Sequence, residues 1–326
     1  MSSKYTIIVP VYNVVSYLAE CLDSVLAQNE ESWECIAVDD GSTDGSGKVL
    51  DDYAEKDRRF KVVHKINGGV ASARNVALNL SNGEWIVYLD ADDMLATNAL
   101  AELSRMEHLH PDADMLRYAL VAFSNFAHKN DCQNQCQILK FTDRQAIIDG
   151  WNGPSFVTYA YKRSLIGDLR FKPYSMGEDR LYLAEALLRI NVKVESDYVG
   201  YYCRKRKGSA MRSAPTCSKI RDDISWKQDF LDLFEHSGIL IGKSVCRRIF
   251  LSLLEGDSYK ITKLPKSERD TMWDLWFKAI YGVPVHLVPS NWIRFVLFIL
   301  KRTNSCFMAY LLCVLPQKLK LSGLHR

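Results

Sequence analysis

The sequence lacks a second close pair of cysteines. Its nine cysteines are odd in number and scattered, and only Cys132 and Cys136 stand close together after the first hundred residues. That argues against a structural zinc site and against a disulfide framework, and fits a reducing cytosol. No basic segment followed by a long apolar one opens the chain. Met1 to Tyr5 runs straight into a strand-like stretch, so no secretory signal is expected. Internal repeats and low-complexity tracts are absent, and so is any apolar run near the ~20 residues that span a bilayer. Asp and Glu are missing from Leu275 to Arg326, where Lys278, Arg294, Lys301, Arg302, Lys318, Lys320 and Arg326 all carry positive charge. Such asymmetry points to a membrane surface or an anionic partner. The net charge of +3 over 326 residues is too small to argue for nucleic acid.

What is present is ordinary globular material, 48% hydrophobic and 25% charged. The first third alternates strand and helix patterns. Tyr5–Pro10 reads as a buried strand stopped by its proline. Ser16 is placed to cap a helix with Leu18, Cys21, Leu22, Val25 and Leu26 on one face. Trp33–Val38 is a second strand, Ser46 is placed to cap the next helix, and Phe60–His64 is a third strand. Asn67-Gly68-Gly69 turns into a helix from Ala71 to Leu80, and Glu84–Leu89 is a fourth strand. This βαβαβαβ order predicts a mostly parallel sheet flanked by helices, with ligands beyond the carboxyl ends of its strands. Met115–Phe123 reads as a further strand, Ser124–Gln137 as a loop, and the chain from Ile220 onward as helical.

Five segments carry candidate chemistry. Asp90-Ala91-Asp92 offers two carboxylates at a strand end, hard oxygen donors suited to Mg²⁺ or Mn²⁺ with substrate phosphates. Equally, Asp92 or Asp93 could lead into the helix near Thr97–Leu109 as a cap. Asp39-Asp40 opens a loop rich in Gly, Ser and Asp, where a carboxylate can accept the imide N–H of uracil; the alternative is a plain turn before a helix. Arg74, one turn into the helix after Gly68-Gly69, reaches a base or phosphate at a helix N-terminus, or makes a structural ion pair. Glu178-Asp179 heads an apolar helix, as a general base or as acids complementing the helix dipole. Tyr201 to Ser209 sets aromatics before Arg204, Lys205, Arg206 and Lys207, a run that binds diphosphate or is merely solvated.

Together and in this order, Val9-Pro10-Val11-Tyr12-Asn13, Val38–Ser46, Gly69–Asn75, Tyr88–Asp93, Gly177-Glu178-Asp179 and Tyr201–Ser209 resemble the family 2 inverting glycosyltransferases of bacterial surface-polysaccharide synthesis. The resemblance implies an α/β fold of the GT-A type, Rossmann-like, with a helical C-terminal extension. It divides the chain into a nucleotide-sugar-binding half (1–114), an acceptor-binding half carrying the catalytic base (115–215), and a helical C-terminal region (216–326). It puts Asp39 and Asp40 at uracil, Arg74 at the nucleotide, and Pro10, Tyr12 and Asn13 under it. Asp90 meets the ribose and metal region, and Asp92 ligates a Mg²⁺ or Mn²⁺ that bridges the diphosphate. Arg204 and Arg206 lie near the diphosphate, Asp179 is the catalytic base and Glu178 its helper. Cys203 departs from the family, which often has a bulkier residue there.

The implied partners are a nucleotide-sugar donor, with UDP as its nucleotide, and a glycan or lipid-linked saccharide acceptor. Asn291–Leu300 and Ser305–Leu315, apolar and separated by Lys301-Arg302-Thr303-Asn304, read as an interfacial helical segment or as a hairpin packed on the protein. The former predicts an enzyme peripheral on the inner face of the cytoplasmic membrane. Two other enzyme classes fit less well. A sugar nucleotidyltransferase wants a Gly-rich basic loop where Val11-Tyr12-Asn13-Val14-Val15 stands. A processive synthase adds spanning helices and a Q-x-x-R-W motif. A non-catalytic carbohydrate-binding scaffold would not need Asp90, Asp92 and Asp179.

Overall fold

The computed structural model describes residues 3–123, 136–149, 155–205, 216–239 and 243–283. These fall into two compact units: 3–123, 136–147, 155–173 and 185–205 form one, and 148–149, 174–184, 216–239 and 243–283 the other. Arg206 and the basic, apolar stretch from 284 onward lie outside the described residues, as does most of the polar segment read as a loop.

In the first unit the elements run β1 (Tyr5–Val11), α1 (Val15–Leu26), β2 (Trp33–Asp39), α2 (Ser46–Lys56), β3 (Phe60–His64), α3 (Val70–Leu80), β4 (Trp85–Tyr88), β5 (Met94–Leu95), α4 (Ala99–Leu109), β6 (Met115–Phe123), β7 (Ile138–Phe141) and α5 (Arg144–Asp149), whose last two residues fall in the second unit. A short 3₁₀ turn (Phe156–Thr158) leads to β8 (Tyr159–Lys162) and α6 (Arg163–Ile166). Then come α7 (Glu178–Arg189), within which the boundary between the units falls, and β9 (Lys193–Arg204).

The sheet order is β3-β2-β1-β4-β8-β6-β9-β5, with β7 also paired to β9. β1 to β4 are mutually parallel where they pair, and β8 reverses direction between β4 and β6. The expected α/β architecture is therefore observed. β1, β2 and β4 are almost wholly buried, as strands covered on both faces must be. The chain moves outward from β1 to β3 and returns to the other side of β1 with β4, so the topological switch lies between β1 and β4.

Three local expectations are corrected. Pro10 does not stop the first strand, which continues to Val11. The Ile8 carbonyl accepts from Leu89 and the Val11 carbonyl from Asp40, so position 10 faces the β4 side, where the ladder has ended at Tyr88 and no N–H is needed. Ser16 does not cap α1. The Asp44 carboxylate accepts the Val15 N–H (2.9 Å) and the Ser46 hydroxyl the Val14 N–H (3.1 Å), so the cap comes from a loop some thirty residues on. Ser46 does not cap α2 either: it is the first helical residue, behind Gly45 at φ +94°. The strands β5, β7, β8 and β9 carry no expectation in the sequence; β5, β7 and β8 are short antiparallel partners, and β9 runs parallel to β6, with all this pairing set across the fold.

The second unit holds α8 (Cys217–Ser237), α9 (Lys243–Leu251), a π-helical segment (Ser252–Asp257), α10 (Ser258–Ile261) and α11 (Lys266–Gly282). Phe230, Trp276 and Ile280 are fully buried, and the Trp276 indole donates to the Leu253 carbonyl (2.7 Å). The helical character expected from Ile220 onward is found as far as the described residues reach. No helix among them is long and apolar enough to cross a membrane.

Candidate active site

The site is assembled where β1, β2 and β4 end. After β1, Tyr12 is half exposed and Asn13 takes φ +50°, the only non-glycine at positive φ among the described residues. Asparagine tolerates that conformation. Its Oδ1 accepts the Thr43 N–H (2.8 Å), and its own N–H donates to the Ser42 hydroxyl (3.1 Å). The ends of β1 and β2 are thus laced together through backbone groups.

Asp39 and Asp40 are both buried and both engaged. Asp39 accepts the Ser42 N–H (2.9 Å) and faces His64 Nδ1 (3.0 Å), whose Nε2 meets Asp51 (2.9 Å). These hydrogen bonds, working against burial, hold the Asp39 carboxyl below its ordinary range, while the two carboxylates raise the His64 pKa. Asp40 accepts the Gly68 (3.0 Å) and Gly69 (2.8 Å) N–H groups and the Lys65 ammonium. It therefore shapes the glycine turn that leads into α3. Gly41 is required there: at φ +79°, a Cβ on it would stand 2.9 Å from the Asn67 nitrogen.

Arg74 is buried in α3. Its guanidinium packs over Phe156 (4.5 Å) and Phe171 (5.2 Å) and pairs with Asp90 at 3.0 Å. That ion pair is made to an acid of the candidate site rather than to a remote one. Asp90 keeps 38% of its side chain exposed. Asp92 is half buried.

Neither Asp92 nor Asp93 caps α4, which starts behind Asn98 with no side-chain cap. The Asp93 carboxylate instead accepts the Tyr201 hydroxyl (2.8 Å) and the Arg204 N–H (2.7 Å), and burial together with Asp90 pushes its pKa up to about 7. Tyr201 also accepts the Asp90 N–H (3.2 Å). Arg204 Nε donates to the Asp92 carbonyl (2.9 Å), and its guanidinium reaches Glu20 and stacks near Tyr17 and Phe123. From below, α1 grips the same segment. Cys21 donates weakly to the Asp90 carbonyl, Ser24 accepts the Leu95 N–H (3.1 Å), and Gln28 donates to the Ala96 carbonyl (2.8 Å). Neighbouring Cys203 is half-buried, with its thiol pushed up to about 12 by burial and the nearby acids.

Sequence reasoning missed Asp93, Tyr201, Ser24 and Gln28 as shapers of this segment. Ser24, a polar residue on the otherwise apolar face of α1, with Gln28 four positions on, was the available signal.

Among the described residues, no three His, Cys, Asp or Glu side chains are grouped to hold a metal ion. The two carboxylates Asp90 and Asp92 nevertheless fit a small divalent cation, because Mg²⁺ commonly takes one or two protein carboxylates and completes its shell with phosphate and water.

In the second unit, Glu178 and Asp179 are the first two residues of α7. Glu178 is buried, while Asp179 is half-exposed and accepts the Arg180 N–H (2.8 Å). Gly177, at φ +81°, precedes them.

Residues 6–165 match the family model described as glycosyl transferase family 2. The chain is 30% identical over 285 residues to "Glycosyltransferase GlyG" of Streptococcus pneumoniae, covering 80% of this chain and 89% of that one. It is 28% identical over 303 residues to the "Poly(ribitol-phosphate) beta-glucosyltransferase" of Bacillus spizizenii, covering 90% of this chain but only 46% of that one, about half its length. Crystal structures of S. aureus TarS 1-349 in complex with UDP and with UDP-GlcNAc superpose with TM-scores of 0.73 and 0.68. They share 20% and 22% identity and cover 98% of this chain and 92% of that one. At that identity the likeness speaks for the fold, which is GT-A.

Proposed function

The chain belongs to glycosyltransferase family 2, and on that premise we propose that it moves the sugar of a UDP-sugar, with inversion, onto a hydroxyl of a glycan or lipid-linked saccharide in surface-polysaccharide synthesis. The observation that carries this reading is the half-exposed Asp90–Asp92 pair at the β1/β4 switch point, braced by two arginines. The relatives' names support the substrate class: one acts on poly(ribitol-phosphate), and the structural neighbour is described with UDP.

In this reading Asp39 and Asp40 shape the uracil end of the site, with Tyr12 exposed beside it. Asp90, Asp92, Arg74, Arg204 and Arg206 serve the ribose and diphosphate end. Asp90 and Asp92 are the residues that would hold Mg²⁺ or Mn²⁺, and such an ion supplies Lewis-acid stabilisation of the charge growing on the diphosphate. The acceptor oxygen bonds to the anomeric carbon as the bond from that carbon to the diphosphate oxygen breaks. The leaving diphosphate takes the electron pair, and Asp179 takes the acceptor proton. A single in-line displacement of this kind inverts the centre.

The acid-free, basic sequence after Leu275 supports meeting a lipid-linked acceptor at an anionic leaflet, where each Lys or Arg contributes about 1 kcal/mol. Truncation from Pro289 then releases the protein from sedimenting membranes; a truncated chain that still sediments refutes that part.

The central test is Asp179→Asn. UDP release from UDP-glucose and UDP-GlcNAc with Mn²⁺ present should fall by about 10²–10⁴-fold, while UDP affinity by calorimetry stays near that of the parent. Undiminished release removes Asp179 from the chemistry. Asp92→Ala should lose the Mn²⁺-dependent part of UDP binding, and unchanged binding would remove the metal assignment.

A further inference from the structure

Within the second unit, residues 174–180 are fastened to one face of α8. Tyr174 donates to Asp229 (2.8 Å), Ser175 donates through both N–H (2.9 Å) and hydroxyl (2.6 Å) to Asp222, and the Arg180 guanidinium stands 5.5 Å from the Trp226 ring. Positions 222, 226 and 229 are four and three apart, so they share a helix face. Gly177 lies against the Trp226 indole so closely that a Cβ there would sit 2.2–2.4 Å from three ring atoms, and its φ of +81° disfavours a side chain independently. The Gly177 carbonyl then accepts the Leu181 N–H (3.1 Å), which starts α7 and fixes where Glu178 and Asp179 stand.

The indole itself is held by charge. Trp226 Nε1 donates to Asp223 (2.9 Å). Asp223 accepts Lys227 (3.0 Å) and Lys260 (2.7 Å), and fully buried Asp257 pairs with the same two lysines. The lysines hold the Asp223 carboxyl well below its ordinary range. Burying Asp223, Lys227 and Asp257, with Lys260 left partly exposed, costs more than an apolar cluster of equal volume. What the charges add is direction, because a hydrogen bond from Nε1 fixes the plane of the ring and apolar contact does not.

We infer that Trp226, oriented by the Asp223–Lys227–Asp257–Lys260 cluster, is a positioning residue that sets the α7 start and thereby the aim of Asp179. The inference rests on the reading of Asp179 as the base. A misplacement of about 1 Å at such a group costs on the order of 10²-fold in rate.

The test is a double-mutant cycle between Trp226→Phe, which keeps a ring and removes the N–H, and Asp179→Asn. It is read as UDP release from UDP-glucose and UDP-GlcNAc with Mn²⁺, alongside UDP affinity and amide hydrogen exchange at 177–181. Positioning predicts faster exchange at those amides and UDP affinity within about twofold of the parent. It also predicts that Trp226→Phe lowers turnover by about 10-fold or more when Asp179 is intact, and that this loss vanishes when Asp179→Asn is already present. Unchanged exchange, or an equal loss with and without Asp179→Asn, overturns the inference. Should Trp226→Phe not fold, Asp222→Ala, which frees Ser175, is run through the same cycle and judged by the same criteria. Failure of the base reading itself is separate: Asp179→Asn alone would then release UDP normally.

Discussion

The acids after β4 and the acids that open α7 are held by different means. Asp90–Ala96 leaves the centre of a parallel sheet and is gripped from two sides, by Cys21 and Ser24 of α1 with Gln28 just beyond its end, and by Tyr201 and Arg204 of β9. Several of those contacts run through backbone groups, so the segment is fixed whatever its side chains carry. Glu178–Asp179 depends on a single helix face and on a glycine pressed against an indole, and behind that indole stands a buried charge cluster. Asp90 and Asp92 are rooted in the sheet, where the topology creates a ligand crevice. The proposed base has no such sheet scaffold and is placed by the loop at 174–177 and by the direction of side chains on α8. A change in the helical unit should therefore reach turnover without touching nucleotide affinity, and a change at the sheet edge should do the reverse.

The contrast can be broken at four points. Lys227→Ala leaves Asp257 buried beside one lysine instead of two. It should cost about 3–5 kcal/mol in denaturant melts and depress turnover, with UDP affinity little changed in the protein that remains folded; a loss under about 1 kcal/mol would mean the cluster holds nothing. Arg204→Ala removes charge-assisted bonds to Glu20 and the Asp92 carbonyl and should cost about 1.5–3 kcal/mol. Its mark is weaker UDP binding by calorimetry, and intact binding would take Arg204 out of the donor site. Asp44→Ala deletes the distant cap of α1 and should cost about 0.5–2 kcal/mol in stability while leaving Asp90, Asp92 and Asp179 in place; an unchanged melting midpoint would show that water replaces the cap.

The smallest effect is pH-dependent. The His64 pKa is raised by Asp39 and Asp51, so its folded value lies above the ordinary ~6.5. The stabilising contribution is complete below ~6.5 and fades as pH rises through the raised value. The parent's melting temperature should decline across that window by more than that of His64→Gln. Parallel profiles would show the link to be idle.

Much of the fold was legible locally. The alternation of buried strands with amphipathic helices gave β1 to β4 and the helices between them. The placement of Asp39, Asp40, Asp90 and Asp92 at strand ends followed from that order. Capping was misread, because a serine beside a helix start is the usual donor of a cap, whereas here Asp44 reaches α1 from the next loop. Beyond β4 only β6 was legible, as Met115–Phe123; the rest of that mixed half of the sheet was not. β5 is two residues long, and β9 is recognised only through its pairing with β6, β7 and β5.

Residue identity and order alone fixed the class of chemistry: acids at the carboxyl ends of parallel strands, a glycine turn before an arginine, and a Gly-Glu-Asp helix start. Tertiary structure decided what each acid does. Asp93 and Asp90 share a motif, yet one is buried under a tyrosine 108 positions away while the other is left half open beside an arginine. No local pattern encodes such partners, because hydrogen bonds and desolvation depend on which distant segments fold against a residue, not on its neighbours in the chain.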